Sequence, residues 1–409
     1  MVSLGAIGMN HGGGGAALGP WHGVRLPGNL SRQLQQGYAP LEAPWLGWAL
    51  AGAALAVIAA CVTFVVRRRR AGRKRGTGLA GTAGGVLSLV LAVAAVLAFV
   101  NSYAGYAPTL SSVPSLVGGT SATAIDSRSG GRLRELRIGD PALDVTPRPT
   151  YVYLPKGYGA PRNRHRRYPV VYLIGGYPGG AYDWLRAGRL ATTMDTLISA
   201  KMIPPMIAVT PDANGAWFHD AECLNQVHGP QVRTYLTRTV VHAVQRRYRV
   251  LNRRRDRLFG GASSGGYCAL NIGLHYQREF GALLAFEPYG TPGASNRTAL
   301  LGGSEALYRA NSPVHYMPHM RFRRHVIAYL DAGGAAERDV ARVRGLARML
   351  AGRGQTVAFR VVPHESHTWH EAANGLPYGL TFAAHALHLH AANRNFLANR
   401  KSGEFRVGR

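Results

Sequence analysis

Acidic residues are scarce in this 409-residue chain, where 20 Asp and Glu stand against 48 Lys and Arg for a formal net charge of +28. That balance favours contact with anionic surfaces: a nucleic acid, a membrane or a cell envelope. A second absence argues against nucleic acid, because the chain carries no RNA-binding signature, no zinc-finger spacing and no heptad-backed basic helix. Cysteine is scarce too, and three residues cannot make a disulfide framework. Cys61 lies in an apolar stretch. Cys223 and Cys268 lie later in the chain, where an oxidising compartment would let them pair and a reducing one would leave two small buried thiols. Internal repeats are absent.

Long apolar runs are present, within a chain that is 46% hydrophobic. Trp45 to Val66 (WLGWALAGAALAVIAACVTFVV) has no charge, and neither has Leu79 to Val100. At about 1.5 Å per residue each is long enough for a hydrocarbon core of about 30 Å. Trp45 and Trp48 at one end, and Tyr103 and Tyr106 beyond the other, suit the interfacial level of a bilayer. Part of the basic excess sits between the two runs, at Arg67, Arg68, Arg69, Arg70, Arg73, Lys74 and Arg75. The positive-inside rule puts this loop, residues 67–78, in the cytoplasm and the segments flanking the hairpin outside. The expected plan is a disordered segment (1–44) with a Gly12–Gly15 run, two transmembrane helices (45–100), a Ser- and Gly-rich linker (101–131), a folded domain (132–392) and a basic tail (393–409).

From Arg132 onward strand-like and helix-like stretches alternate. Leu133–Ile138 reads as an edge strand and Thr150–Leu154 as a second. Apolar runs at Tyr168–Ile174, Met206–Thr210, Arg257–Gly261, Ala282–Phe286, Val326–Leu330 and Val357–Val362 read as strands buried on both faces. Helical patterns fall between them, at Thr192–Ala200, Val232–Tyr248 and Glu337–Leu350. This order predicts an α/β fold with a mostly parallel sheet covered by helices.

One G-x-S-x-G occurs, Gly261-Ala262-Ser263-Ser264-Gly265, between the strand RLFGG and the helical GYCALNIGLHY. Strand, sharp turn, helix is the setting of a nucleophile elbow, with Ser263 at its centre. A serine hydroxyl needs a base, and in this architecture the base comes after the last strand. There His364, His367 and His370 compete, with His367 the best placed. Three histidines at three-residue spacing also raise a metal site, but His364-Glu365-x-His367 is one residue short of H-E-x-x-H, so no metal or other cofactor is expected. The acid should precede the histidine. Asp331, Glu337 and Asp339 come after HVIAYL, with Glu337 preferred and Asp339 next. The oxyanion donors should be the N–H groups of Ser264 and Tyr177, since Pro178 has none.

These motifs resemble the esterase family that includes esterase D, enterochelin-esterase-like proteins and the mycobacterial mycolyltransferases. VYLPKGY ahead of YPVVYLIGGYPGG is similar to that family's first strands and oxyanion loop, GASSGGYCAL to its elbow, and SHTW to its histidine loop. The resemblance spans residues 150–387. Two departures stand out: the acid pattern is loose, and Ser366 replaces the common glycine before the histidine. What the resemblance implies is an α/β-hydrolase fold and metal-free ester hydrolysis or acyl transfer by Ser263, His367 and an acid. A membrane anchor on such a domain points to an ester or lipid-like substrate of the envelope. The competing expectation is an envelope binding protein that keeps the fold without the chemistry.

Overall fold

Eight strands form one sheet in the order β1-β2-β4-β3-β5-β6-β7-β8. The computed structural model describes residues 26–35, 37–72, 77–105, 130–216 and 218–389. The strands are β1 (Arg132–Asp140), β2 (Val145–Leu154), β3 (Val170–Ile174), β4 (Ile207–Pro211), β5 (Arg257–Ala262), β6 (Ala282–Phe286), β7 (Ile327–Gly333) and β8 (Thr356–Val362). β2 runs antiparallel to both β1 and β4, and every pairing from β4 through β8 is parallel. The eight expected strands are all present, and LRELRI is indeed the edge.

The apolar strands split their side chains between two cores. Along β3, Val170, Tyr172 and Ile174 enter one core while Val171 and Leu173 enter the other. This period-two division is why such strands read as unbroken apolar runs. The first core is covered by the helical stretch 232–247, which passes through a π-helical segment at Tyr235–Val240. It is completed by α6 (Ser264–His275) and α7 (Glu337–Gly352). α7 gives it Val343, Leu346, Ala347 and Leu350, a helical stripe. The second core is covered by α4 (Leu190–Ser199) and α8 (Trp369–Ala386). With the 232–247 stretch counted as α5, the longer helices of this domain run α4 to α8 in chain order.

Three helices precede the domain: α1 (Gly28–Leu34), α2 (Pro44–Arg70) and α3 (Thr77–Ala104). Here the structure corrects two boundaries. Part of the segment expected to be disordered is folded, because Leu26, Leu30 and Leu34 have an apolar stripe that joins the second core. α3 also continues past Val100 into the expected linker. Residues 1–25, most of the linker (106–129) and the tail 393–409 lie outside the described residues.

α2 and α3 form a hairpin whose flanks are largely apolar and exposed, including Leu55, Ile58, Val62, Leu89, Val90, Val93 and Leu97. Both are long and apolar enough to cross a membrane. Close packing between them uses small residues: a Cβ on Gly84 would meet Cys61 Sγ at 2.0 Å, and one on Gly47 would meet the Phe99 ring at 2.7 Å. The arginines lie at the far end of the hairpin. Its near end touches the domain, where Tyr103 Oη donates to Tyr177 O (3.5 Å). Asn101 Nδ2 donates to Leu41 O (2.8 Å) in the segment before the hairpin, and Tyr38 of that segment makes a second tie to the domain, donating to Glu365 Oε2 (2.7 Å) and stacking on His370 (4.2 Å between centroids).

Candidate active site

β5 ends at Ala262 and α6 begins at Ser264, so Ser263 alone makes the turn. Its backbone sits at φ 56°, ψ −114°, a conformation that non-glycine residues rarely adopt. Neighbouring contacts hold it there. Ser263 N–H donates to Phe286 O at 2.9 Å, and Ser263 O accepts from Tyr267 N at 2.9 Å. The flanking glycines are obligatory: a Cβ on Gly261 would lie 2.3 Å from Gly265 O, and one on Gly265 would lie 2.2 Å from Ile174 O. Only hydrogen at these positions lets strand, turn and helix approach so closely. The first N–H groups of α6, that of Ser264 among them, have no partner within the helix.

His367, on the loop between β8 and α8, places Nε2 2.7 Å from Ser263 Oγ. That loop ends where the Thr368 side chain accepts from Glu371 N and caps α8. Trp369, the next residue, packs edge-on against Trp184, whose indole donates to Ile174 O (2.8 Å). Histidine, tryptophan pair and sheet are thus tied together.

Two carboxylates lie on the other side of the imidazole. Glu287 Oε2 is 3.4 Å from His367 Nδ1, and Asp339 Oδ2 is 3.9 Å from it. Glu287 comes directly after β6 and is 2% exposed. Gly333 N–H donates to its Oε1, while its Oε2 has no protein hydrogen bond. Asp339 is more open and pairs with Arg342 at 2.7 Å. Glu337, the preferred sequence candidate, is exposed at the first position of α7. Residues two apart on a helix are turned about 200° from each other, so a helix that aims Asp339 at the imidazole aims Glu337 at solvent. Asp331 is fully buried beneath the site, where its carboxylate accepts from Tyr329 Oη (3.0 Å).

The other residues expected at the site take varied positions. Ser264 Oγ donates to Asp220 Oδ1 (2.7 Å) rather than facing His367. Gly176 approaches Ser263, since a Cβ there would be 3.4 Å from Ser263 Cβ, and Tyr177 comes next with a cis bond to Pro178. The three histidines do not converge. His370 Nδ1 is bound to Glu365 (2.6 Å), and His364 is exposed. Among the described residues, the ligand-type side chains that do cluster are Glu287, Asp339 and His367, and the histidine of that group has its second nitrogen on the serine. Cys223 and Cys268 form a disulfide, which fastens the loop carrying Asp220 and Glu222 to the helix after Ser263. Burial raises the pKa of both Asp220 and Glu222 above the ordinary carboxylate range.

Sequence reasoning missed Glu287, Tyr103 and Asp220. A signal for Glu287 was there: a lone carboxylate at the carboxyl end of an apolar strand of a parallel sheet stands where such folds build their sites.

A strained serine between strand and helix, with a histidine on its hydroxyl, defines the α/β-hydrolase class of site. The chain belongs to the family described as "Putative esterase", whose profile matches residues 145–384. An uncharacterized protein of Corynebacterium glutamicum is 28% identical over 202 residues, covering 47% of this chain and 47% of the relative. The chain thus spans about half the length of the curated relative it matches. Among solved structures a ferulic acid esterase superposes with TM-score 0.55 at 23% identity, covering 63% of this chain and 98% of its own. An S-formylglutathione hydrolase from Agrobacterium tumefaciens gives 0.52 at 18%, covering 63% and 96%. These likenesses establish the fold.

Proposed function

We propose that the protein is a membrane-anchored serine esterase whose catalytic domain lies outside the cytoplasm, with Ser263 as nucleophile and His367 as its base. The 2.7 Å contact between His367 Nε2 and Ser263 Oγ, at a serine held in an elbow, carries this reading. Ser263 Oγ attacks the ester carbonyl carbon as its proton passes to Nε2. The oxyanion that forms is held by the N–H groups of Ser264 and Tyr177. Collapse breaks the bond to the alcohol, which leaves with the proton from Nε2. Water, or an acceptor hydroxyl in the case of acyl transfer, then attacks the acyl-enzyme by the same steps in reverse. The imidazolium is stabilised by Glu287, with Asp339 beside it, in place of Glu337.

Transfer to an acceptor draws support from a groove of about 650 Å³ bordered by Tyr177 and lined by Phe218, Asp220, Glu222, Asn296 and Arg342. It is polar and open enough for a hydroxyl-bearing molecule. Location outside the cytoplasm rests on the arginines at the far end of the hairpin and on a disulfide, which persists in oxidising compartments.

The test is fluorophosphonate labelling of the full chain in detergent, comparing wild type with Ser263→Ala and Ser264→Ala. Wild type and Ser264→Ala should label and Ser263→Ala should not. Ester turnover by Ser263→Ala should drop by a factor on the order of 10⁴ or more. A folded wild type that neither labels nor turns over any ester would sink the catalytic reading in favour of a binding protein.

A further inference from the structure

The last turn of α3 belongs to the same helix that runs along the apolar hairpin, yet its Tyr103 reaches the catalytic serine. The Tyr103 side chain lines the space around Ser263 together with Gly176, Glu287, His367, Thr368 and Trp369. Its hydroxyl interacts with the Ser263 side chain and lies 3.5 Å from Tyr177 O, the carbonyl of a proposed oxyanion residue. With the ring in place only about 10 Å³ remains free beside the nucleophile, room for one water at most. The 650 Å³ groove is bordered by Tyr177 and not by Tyr103, so open space lies beyond the oxyanion loop while the space beside Tyr103 is filled.

Resting on the esterase reading above, we propose that Tyr103 is a specificity-determining residue of the active site, and that the esters it selects are those of amphiphiles held at the bilayer surface. A substrate must displace or slide past this ring to bring its carbonyl to Ser263. The ring is carried by a helix whose flanks are exposed Val90, Val93, Val96 and Leu97. An acyl chain lying along those residues keeps its apolar contact while its ester rises to the serine. A water-soluble ester has no such contact to offset the displacement of Tyr103. Trp45 and Trp48, exposed at the same end of the hairpin, set the level of the interface close to the site. Asn101 bonds to Leu41 in the segment before the hairpin, and Tyr38 of that segment bonds to Glu365 of the domain.

The experiment uses the full chain in lipid nanodiscs, with p-nitrophenyl acetate as the soluble ester and a long-chain monoacylglycerol in the disc as the amphiphilic one. Labelling by a fluorophosphonate is read in parallel. Wild type should favour the amphiphile. Tyr103→Ala should raise kcat/KM for the acetate by about tenfold or more, the scale of a pocket gaining several carbons of space, and should narrow the preference. Tyr103→Phe should keep the wild-type preference, because the ring rather than the hydroxyl fills the space, and Tyr103→Trp should sharpen it. If all variants label at Ser263 and the ratio of the two activities is unchanged by Ala and by Trp, the inference falls while the esterase reading stands. If neither folded wild type nor folded Tyr103→Ala labels, both fall.

Discussion

At the residue scale the site departs from a simple triad in offering two carboxylates to one imidazole. Glu287 is nearer, buried, anchored by Gly333 N–H and left with one free oxygen facing Nδ1. Asp339 is further away and shares its charge with Arg342. A carboxylate in this role fixes the tautomer and stabilises the imidazolium, and losing it costs about 10⁴ in kcat where nothing substitutes. With two present, each can cover part of the loss of the other. Glu287→Gln should therefore lower kcat by about tenfold to a hundredfold and Asp339→Asn by less. The double variant should fall by more than the product of the two single losses, toward about 10³ to 10⁴. Glu337→Gln should leave kcat near wild type. Steady-state kinetics on one ester decides it, and a double variant no worse than Glu287→Gln would remove Asp339 from the mechanism. The meeting of Ser263 with His367 was legible because each position is fixed by local sequence: a strand with a tight small-residue turn, and a loop after the last strand. The acid was not, since its identity depends on how α7 is rotated and on where the chain turns after β6, neither of which a linear spacing encodes.

At the element scale the contact between β7, β8 and α8 buries charge directly under the site. Asp331 of β7 faces Tyr329, Arg360 of β8, Glu371 of α8 and the nearby Glu287. Burial first, offset by Arg360, lifts the Asp331 carboxyl to about 7, and burial with the neighbouring carboxylates lifts Glu371 well above its ordinary range. The two fit a carboxyl pair that shares a proton. For a carboxyl whose folded pKa is raised, stability is fully present below the unfolded value, near 4, and is lost as pH climbs through the folded value. The domain should thus lose stability between about pH 4 and pH 7 from Asp331, with Glu371 extending the loss upward. At 1.36 kcal/mol per unit the ceiling for Asp331 is about 4 kcal/mol. Thermal melts of the full chain at pH 5 and pH 8 check this: wild type should melt higher at pH 5. Asp331→Asn, which cannot ionise, should shrink that difference by half or more, and an unchanged difference would assign the pH dependence elsewhere. The eight strands were readable from apolar runs because a doubly covered sheet demands them. This pair was not, because acids in adjacent elements meet only after the sheet and α8 have packed.

At the scale of the whole molecule, three features bear on orientation: the arginines at one end of the hairpin, the domain docked at the other, and a disulfide within that domain. Moving the Arg67–Arg70 end across a bilayer would violate the bias that keeps cationic loops cytoplasmic, and a cytoplasmic domain would see its Cys223–Cys268 bond reduced. The hairpin was readable from two uncharged runs, but its docking was not, since Tyr103 looks like an interfacial aromatic until the fold brings Ser263 to it, and no local pattern links Tyr38 to Glu365. Orientation can be read directly in intact cells by a membrane-impermeant maleimide, on a Cys61→Ser background that leaves only the Cys223–Cys268 disulfide. Asn252→Cys, in the exposed turn before β5, should label from outside without permeabilisation. Arg69→Cys, at the end of α2, should label only after the membrane is opened. The reverse pattern would place Ser263 in the cytoplasm and remove envelope esters from the substrates it can reach. Labelling of both sites in sealed cells would mean that the hairpin does not span, leaving its exposed valines and leucines to be covered by something other than lipid.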